Sequence, residues 1–205
     1  MQKSLAPLII LVNVKFTLNA NNIFLFIFFY PGTLFANVTL EIEKKLKSIN
    51  TVIFDFVQKT SGIQEKGKCY LSFPGQLRCI YESDEGKEVL VQSNNLYLIK
   101  HKFKRSYRYP ISNSAFNIIL NKNKILENLT KTNNKKVQEI DDNFFYEIET
   151  DEGIYTKIFF DKNSKMLTGW ETVSYNQEKV IFNILNPVIN QKFEEKFILP
   201  NYNNF

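Results

Sequence analysis

The sequence predicts a mainly β protein carrying two or three helices, and three observations predict it. Aromatic residues make up 15% of the chain, with 19 Phe and 10 Tyr but seven Gly, a composition that suits pleated surfaces around a wide apolar interior. Pro74-Gly75 separates two runs in which apolar and polar residues alternate, the pattern of a β-hairpin. From Phe144 onward, four strand-like runs follow one another across short polar turns, which argues for an antiparallel meander.

Taken in order, residues 1–36 read as a cleavable targeting leader. Lys3 and Lys15 give a positive flank, Ile23–Tyr30 an apolar core, Pro31-Gly32 a break, and Leu34-Phe35-Ala36 a small residue at a cut before Asn37. That core falls short of the roughly 20 apolar residues that span a bilayer; an uncleaved anchor is the competing reading. Thr39–Ser48 reads as a helix, with Thr39 as cap, Glu41 and Glu43 early, and Lys44, Lys45 and Lys47 late. Val52–Gln58 reads as a first strand.

The hairpin Gly67–Tyr81 comes next. A three-residue loop Pro74-Gly75-Gln76 pairs Phe73 with Leu77, Leu71 with Cys79 and Cys69 with Tyr81. Cys69, Leu71, Phe73, Leu77, Cys79 and Tyr81 then share one face, and Lys68, Tyr70, Ser72, Arg78 and Glu82 lie on the other. The two cysteines would be diagonal neighbours about 7–8 Å apart, wide for a disulfide. An oxidising compartment would allow the bond; two small buried apolar side chains are the alternative.

Glu88–Gln92 and Leu96–Lys100 read as strands joined by Ser93-Asn94-Asn95, with Val89 and Val91 facing inward. Phe103–Tyr109 reads as another strand with a basic outer side. Ser112 or Asn113 is expected to cap a helix bearing Ala115, Phe116, Ile118, Ile119 and Leu120. Ile125, Leu126 and Leu129 mark a second short helix, and Thr130–Lys136 is a polar connection. The closing strands are Phe144–Thr150, Tyr155–Asp161, Met166–Tyr175 and Lys179–Asn186, with turns at Asp151-Glu152-Gly153, Asp161–Ser164 and Asn176–Glu178. Phe193 and Phe197 are placed to pin the tail onto the sheet.

The chain has 205 residues and a formal charge of +5, which favours one domain and does not support nucleic-acid binding. Without Lys3 and Lys15, 24 basic residues stand against 21 acidic ones, an excess of three that would help meet an acidic partner or anionic lipid. Catalytic sets are missing: His101 is the sole histidine, in a loop-like Lys100–Lys104, and a hydrolase built on it is the weakest of three functional readings. Asp141-Asp142 reads as a solvated turn, and the Cys69/Cys79 spacing is no metal site.

Gly67-x-x-Tyr70-Leu71-x-x-Pro74-Gly75-x-Leu77-Arg78-x-x-Tyr81 resembles the outer-membrane lipoprotein carrier protein (LolA) family. The likeness continues through Val89–Tyr97, Tyr109–Leu120, the Phe56-x-Gln58 strand, and Phe197-Ile-Leu-Pro-Asn201. The resemblance implies an incomplete antiparallel β-barrel covered by two or three helices, formed by a single domain over 37–205. It implies a monomeric, cofactor-free periplasmic chaperone that takes acylated lipoproteins from an inner-membrane ABC transporter and passes them to an outer-membrane acceptor. The acyl chains would lie against Phe56, Leu71, Phe73, Leu77, Cys79, Tyr81, Val89 and Val91, under a lid including Ala115, Phe116, Ile118 and Ile119. A related lipid-sensing module that transfers nothing is the alternative. The family has an arginine before the hairpin proline that helps hold the lid shut; Phe73 stands there instead, so lid closure is expected to be weaker or differently controlled.

Overall fold

A computed structural model describes residues 32–131, 137–149, 155–173, 178–194 and 197–202. Eleven strands form one antiparallel sheet in the order β6-β5-β4-β3-β2-β1-β11-β10-β9-β8-β7. Two meanders meet where β1 (Thr51–Thr60) pairs with β11 (Lys179–Ile189). The first meander continues through β2 (Ile63–Ser72), β3 (Gln76–Tyr81), β4 (Lys87–Gln92), β5 (Asn95–Lys100) and β6 (Arg105–Pro110). The second holds β7 (Gln138–Ile140), β8 (Asn143–Glu149), β9 (Tyr155–Asp161) and β10 (Leu167–Val173). Among the described residues nothing pairs with the outer side of β6 or β7, so the barrel is unclosed and mainly β, the expected class. Among the described residues, three helices accompany the sheet: α1 (Gly32–Ser48), α2 (Phe116–Ile119) and α3 (Lys122–Lys131).

Period-two patterning decides which face is buried. Val52, Phe54 and Phe56 of β1 point into one apolar core with Cys69 and Leu71 of β2, Leu77, Cys79 and Tyr81 of β3, and Val89 and Val91 of β4. Tyr146, Ile148, Ile158, Phe160, Trp170 and Phe182 reach the same core from the other meander. Ile42, Leu46 and Ile49 from the α1 end and Ile118, Ile119, Leu120, Ile125 and Leu129 from α2 and α3 cover it. α1 is also tied to the second meander, where Thr39 Oγ1 meets the Tyr146 hydroxyl at 3.2 Å and Lys165 Nζ meets Glu41 Oε2 at 3.2 Å.

Several local expectations are corrected. α1 begins at Gly32 and not at Thr39; Thr33–Val38 contains no helix breaker. The expected leader lies mostly outside the described residues, as do the turns at 151–153 and 176–177. The hairpin register is shifted by two: Cys69 faces Cys79, Leu71 faces Leu77 and Ser72 faces Gln76. The loop is therefore Phe73-Pro74-Gly75, with a cis Phe73–Pro74 bond and Gly75 at φ +76°. A shift of two keeps every side chain on its face, but it puts the cysteines directly opposite, 4.1 Å apart at Cα, where they form a disulfide.

The next turn narrows to Ser93 and Asn94, both at positive φ (49° and 61°), as a two-residue hairpin requires, and Asn95 opens β5. Phe103 lies in a short 3-10 turn, His101–Phe103, and not in a strand. The expected helix cap at Ser112 or Asn113 gives way to a 3-10 turn at Ile111–Asn113, and α2 has no side-chain cap. Asn121 caps α3 instead, its Oδ1 accepting the N–H groups of Asn123 (3.0 Å) and Lys124 (3.2 Å). β7 was not foreseen in its short polar sequence Gln138-Glu139-Ile140. β11 runs past Pro187, because the ladder to β1 is irregular there and Asn186 turns to φ +50°, a place where a strand tolerates proline.

The outer face of the first meander is greasier than its alternation predicts. Glu88, Leu90 and Ile99 point away from the core yet are 3%, 0% and 0% exposed. The tail returns to this side: Phe193 packs on Tyr70 with ring centroids 5.5 Å apart, and Phe197 packs on Phe193. His101 is no free loop histidine, since its ring bonds the Tyr202 hydroxyl at 2.7 Å and Glu88 Oε2 at 2.9 Å. Arg78 holds the same carboxylate through Nε (2.9 Å) and Nη2 (3.2 Å), so the buried charge is paired.

Candidate functional site

Among the described residues, hollows lie between the sheet and its helices, and two of them have apolar walls. The first is bounded by Leu46, Ile49, Phe54, Leu71, Phe73, Leu77, Ile119, Ile125, Met166 and Trp170, all apolar, and leaves a free volume of about 30 Å³. That is room for about one water. The second is a cleft of about 400 Å³ between β3–β6, β10, β11 and α2, within the size range of small-molecule sites. Val89, Leu96, Leu98, Phe116, Trp170 and Phe182 give it apolar walls, and Gln58, Lys87, Ser114 and Thr172 add polar atoms.

The residues expected to line an acyl site divide between these hollows. Leu71, Phe73, Leu77 and Ile119 border the small one. Tyr81, Val89, Ala115 and Phe116 border the cleft. Phe56, Cys79, Val91 and Ile118 are buried in the same core without lining either hollow. Trp170, which lines both, and Phe182 were missed. Their strands show the alternation, and Trp170 is the sole tryptophan of the chain, but sequence does not reveal that β10 and β11 face β4 and β5 across the cleft.

A run of rings forms the floor. Trp170 stacks on Phe182 at 4.0 Å, Phe182 on Phe56 at 4.8 Å, and Phe56 meets Tyr81 edge-on at 4.8 Å. Gly67 makes room for this run. It pairs with both Phe56 and Tyr81, and a Cβ there would sit 2.1 Å from the Ile80 carbonyl oxygen and 2.8 Å from the Phe56 ring. At the end of the run, the Tyr81 hydroxyl donates to Gln58 Oε1 at 2.9 Å. Lys87 Nζ sits 4.1 Å above the Tyr81 ring and bonds Glu65 Oε1 at 2.7 Å. Burial, and secondarily Glu65, push the Tyr81 phenol well above its ordinary pKa, so it remains a neutral donor.

The roof over the cleft is slight. α2 is four residues long, with Phe116 edge-on to Trp170 at 5.8 Å. The hairpin loop is tied to it by the Gly75 N–H, which donates to the Leu120 carbonyl at 3.0 Å. Phe73 is covered by a cation from the lid side: Lys122 Nζ lies 4.9 Å from its ring centroid. The same ammonium donates to the Ile49 carbonyl at 2.5 Å. Burial holds the Lys122 amine below its usual pKa. Among the described residues, no group of three or more His, Cys, Asp or Glu is placed to hold a metal.

A family model described as "Outer membrane lipoprotein carrier protein LolA" matches residues 47–197. No curated protein matches the chain. Among solved structures, a LolA superfamily protein from Nitrosomonas europaea is 9% identical with a TM-score of 0.45, covering 80% of this chain and 97% of that one. LprF from Mycobacterium bovis is 12% identical with a TM-score of 0.46, covering 80% and 97%. The lipoprotein LppX from Mycobacterium tuberculosis is 12% identical with a TM-score of 0.40, covering 76% and 94%.

Proposed function

Because the chain belongs to the outer membrane lipoprotein carrier protein LolA family, we propose that it is a non-enzymatic periplasmic carrier. Its single domain over 37–205 receives acylated lipoproteins from an inner-membrane ABC transporter and delivers them to an outer-membrane acceptor, working as a monomer. Residues 1–36 are its export leader. The observation that carries the reading is the cleft of about 400 Å³ with rings for a floor and a four-residue helix for a roof. Acyl chains enter along Val89, Leu96, Leu98, Trp170 and Phe182, beside Tyr81, Ala115 and Phe116. As α2 lifts, the small hollow opens, and Leu71, Phe73, Leu77 and Ile119 become part of the same surface. Phe56, Cys79, Val91 and Ile118 support these walls from behind.

The energies allow that movement. Exposing Ile118, Ile119 and Leu120, each 2% exposed in the closed state, costs about 5–9 kcal/mol at roughly 1.5–3 kcal/mol per side chain. An acyl chain of about 14 methylenes gains about 11 kcal/mol at 0.8 kcal/mol each. One chain therefore offsets the lifted roof. A roof of four residues has no helical stability of its own to resist.

Trp170 reports the test. A lipopeptide with a bromine-labelled acyl chain is expected to quench its fluorescence saturably, and the same peptide without the chain to leave it unchanged. Absence of quenching with the protein still folded would sink the acyl-binding reading. Transfer is tested separately, by release of a lipoprotein from inner-membrane vesicles in soluble form. Quenching without release would leave a binding module and remove the carrier.

A further inference from the structure

The positive charge of the chain is concentrated at one edge of the sheet. Residues 89–126 contain seven Lys and Arg and no Asp or Glu. The whole chain carries +5, so everything outside this stretch sums to −2. The stretch builds the end of β4, β5, the edge strand β6 and the lid.

Its outermost part is residues 101–110, exposed throughout except at Ser106. Lys102, Lys104, Arg105 and Arg108 all face solvent, and among the described residues none of the four makes an ion pair. Phe103 and Tyr107 stand among them and Tyr109 follows Arg108, the rings being 50%, 40% and 50% exposed, with Arg105, Tyr107 and Tyr109 on one face of β6 and Arg108 on the other. Cations alone would be the ordinary protection of an edge strand against pairing with another chain. Three open rings among them are not, since they add the apolar surface that such protection avoids. Aromatic rings beside Lys and Arg are the composition of surfaces that settle at a bilayer interface, where rings enter the headgroup layer and cations meet anionic phosphates. Position agrees with this: Tyr109 also lines the cleft, so the edge and the mouth of the cleft adjoin.

We propose that the β6 edge, with the preceding turn at His101–Phe103, is a docking surface for anionic membrane, and that it sets the cleft against the leaflet. The occupant is a phospholipid surface bearing net negative charge. This goes beyond the carrier reading and is tested without cargo, so either can fail alone.

The experiment is co-sedimentation of the full chain with phosphatidylcholine vesicles with and without phosphatidylglycerol. Any apolar binding by the N-terminal segment is common to both, so the anionic increment is the readout. An increment of at least about tenfold at low salt is expected, since each cation at an anionic surface is worth roughly fivefold, and high salt is expected to abolish it. The variant K102E/K104E/R105E/R108E is expected to lose the increment. The variant K44E/K59E/K66E/K192E, with the same change of net charge at exposed sites elsewhere, is expected to keep most of it. No increment in wild type, an increment retained by the edge variant, or equal loss in both variants would overturn the proposal. The salt titration of wild type needs no variant to fold. Binding to polyglutamate in place of vesicles would also overturn it, in favour of an acidic protein partner.

Discussion

Replacing Lys122 by Met is expected to loosen the lid without loosening the sheet. The ammonium makes two contacts across the lid boundary, one over the Phe73 ring at 4.9 Å and one to the Ile49 carbonyl at 2.5 Å. A partly exposed cation–π contact is worth about 0.5–1 kcal/mol, and a hydrogen bond from a charged donor about 1.5–3 kcal/mol. Desolvation opposes both, and it is what lowers the amine's pKa. The net is about 1–2 kcal/mol, a factor of about 5–30 in the opening equilibrium. Native-state amide exchange reads this directly: α2 and α3 are expected to exchange 5–30 times faster, about the factor derived above, while β1–β3 stay protected. Phe73→Arg is the sharper partner. It sets two cations side by side and is expected to weaken the lid, and adding Lys122→Met is expected to restore much of the loss. Unchanged exchange in Lys122→Met, or equal acceleration across the sheet, would refute a lid held by this residue. So would a double variant as loose as Phe73→Arg alone.

Three further outcomes follow from the same geometry. Gly67→Ala is expected to destabilise the fold by at least about 1–3 kcal/mol in denaturant melts, the usual range for overpacking, because its Cβ would meet backbone oxygen at 2.1 Å; a melt within error of wild type would contradict the close approach. Removing the Cys69–Cys79 bond, which spans a separation of ten residues, is expected to remove about 2–3 kcal/mol by loop entropy, and two titratable thiols in natively folded, non-reduced protein would contradict the pairing. Asp161 accepts bonds from the backbone N–H (2.6 Å) and hydroxyl (2.7 Å) of Ser164, which hold its carboxyl below the usual range. A folded pKa below the unfolded value of about 3.9 means that its contribution is present above that value and lost as pH falls through the folded one. Asp161→Asn is therefore expected to be less stable than wild type at neutral pH, with the gap closing in acid; a gap that persists at low pH would contradict this.

The strands were legible because each reports its own alternation, and ten runs read as strands became strands within a few residues. What was not legible depends on partners distant in sequence. The hairpin register shows this: a three-residue loop fits Pro74-Gly75-Gln76 as well as Phe73-Pro74-Gly75, and both keep the same residues inside. The choice is made outside the hairpin, where the Phe73 N–H donates to the Asn50 carbonyl at 2.9 Å and Gly75 to Leu120. Glu88 misled in the same way, since a carboxylate beside two valines reads as solvent-facing until Arg78, His101 and the returning tail cover it. Phe73 itself looked like a missing latch. Far along the chain, Lys122 supplies a cation over the Phe73 ring from the lid side. The apolar residues were equally ambiguous, because an inward-facing Val89 looks the same whether it fills a core or walls a cavity. The distinction is made by what lies opposite: Ile119 and Leu120 at the end of α2, with Ile125 of α3 and the end of α1, leave about 30 Å³ over Leu71 and Leu77, whereas Ala115 and Phe116 at the start of α2 leave about 400 Å³ over Val89 and Leu98. The two ends of α2 thus meet a greasy sheet differently, one closely packed and one open, and it is the open end that borders the basic edge.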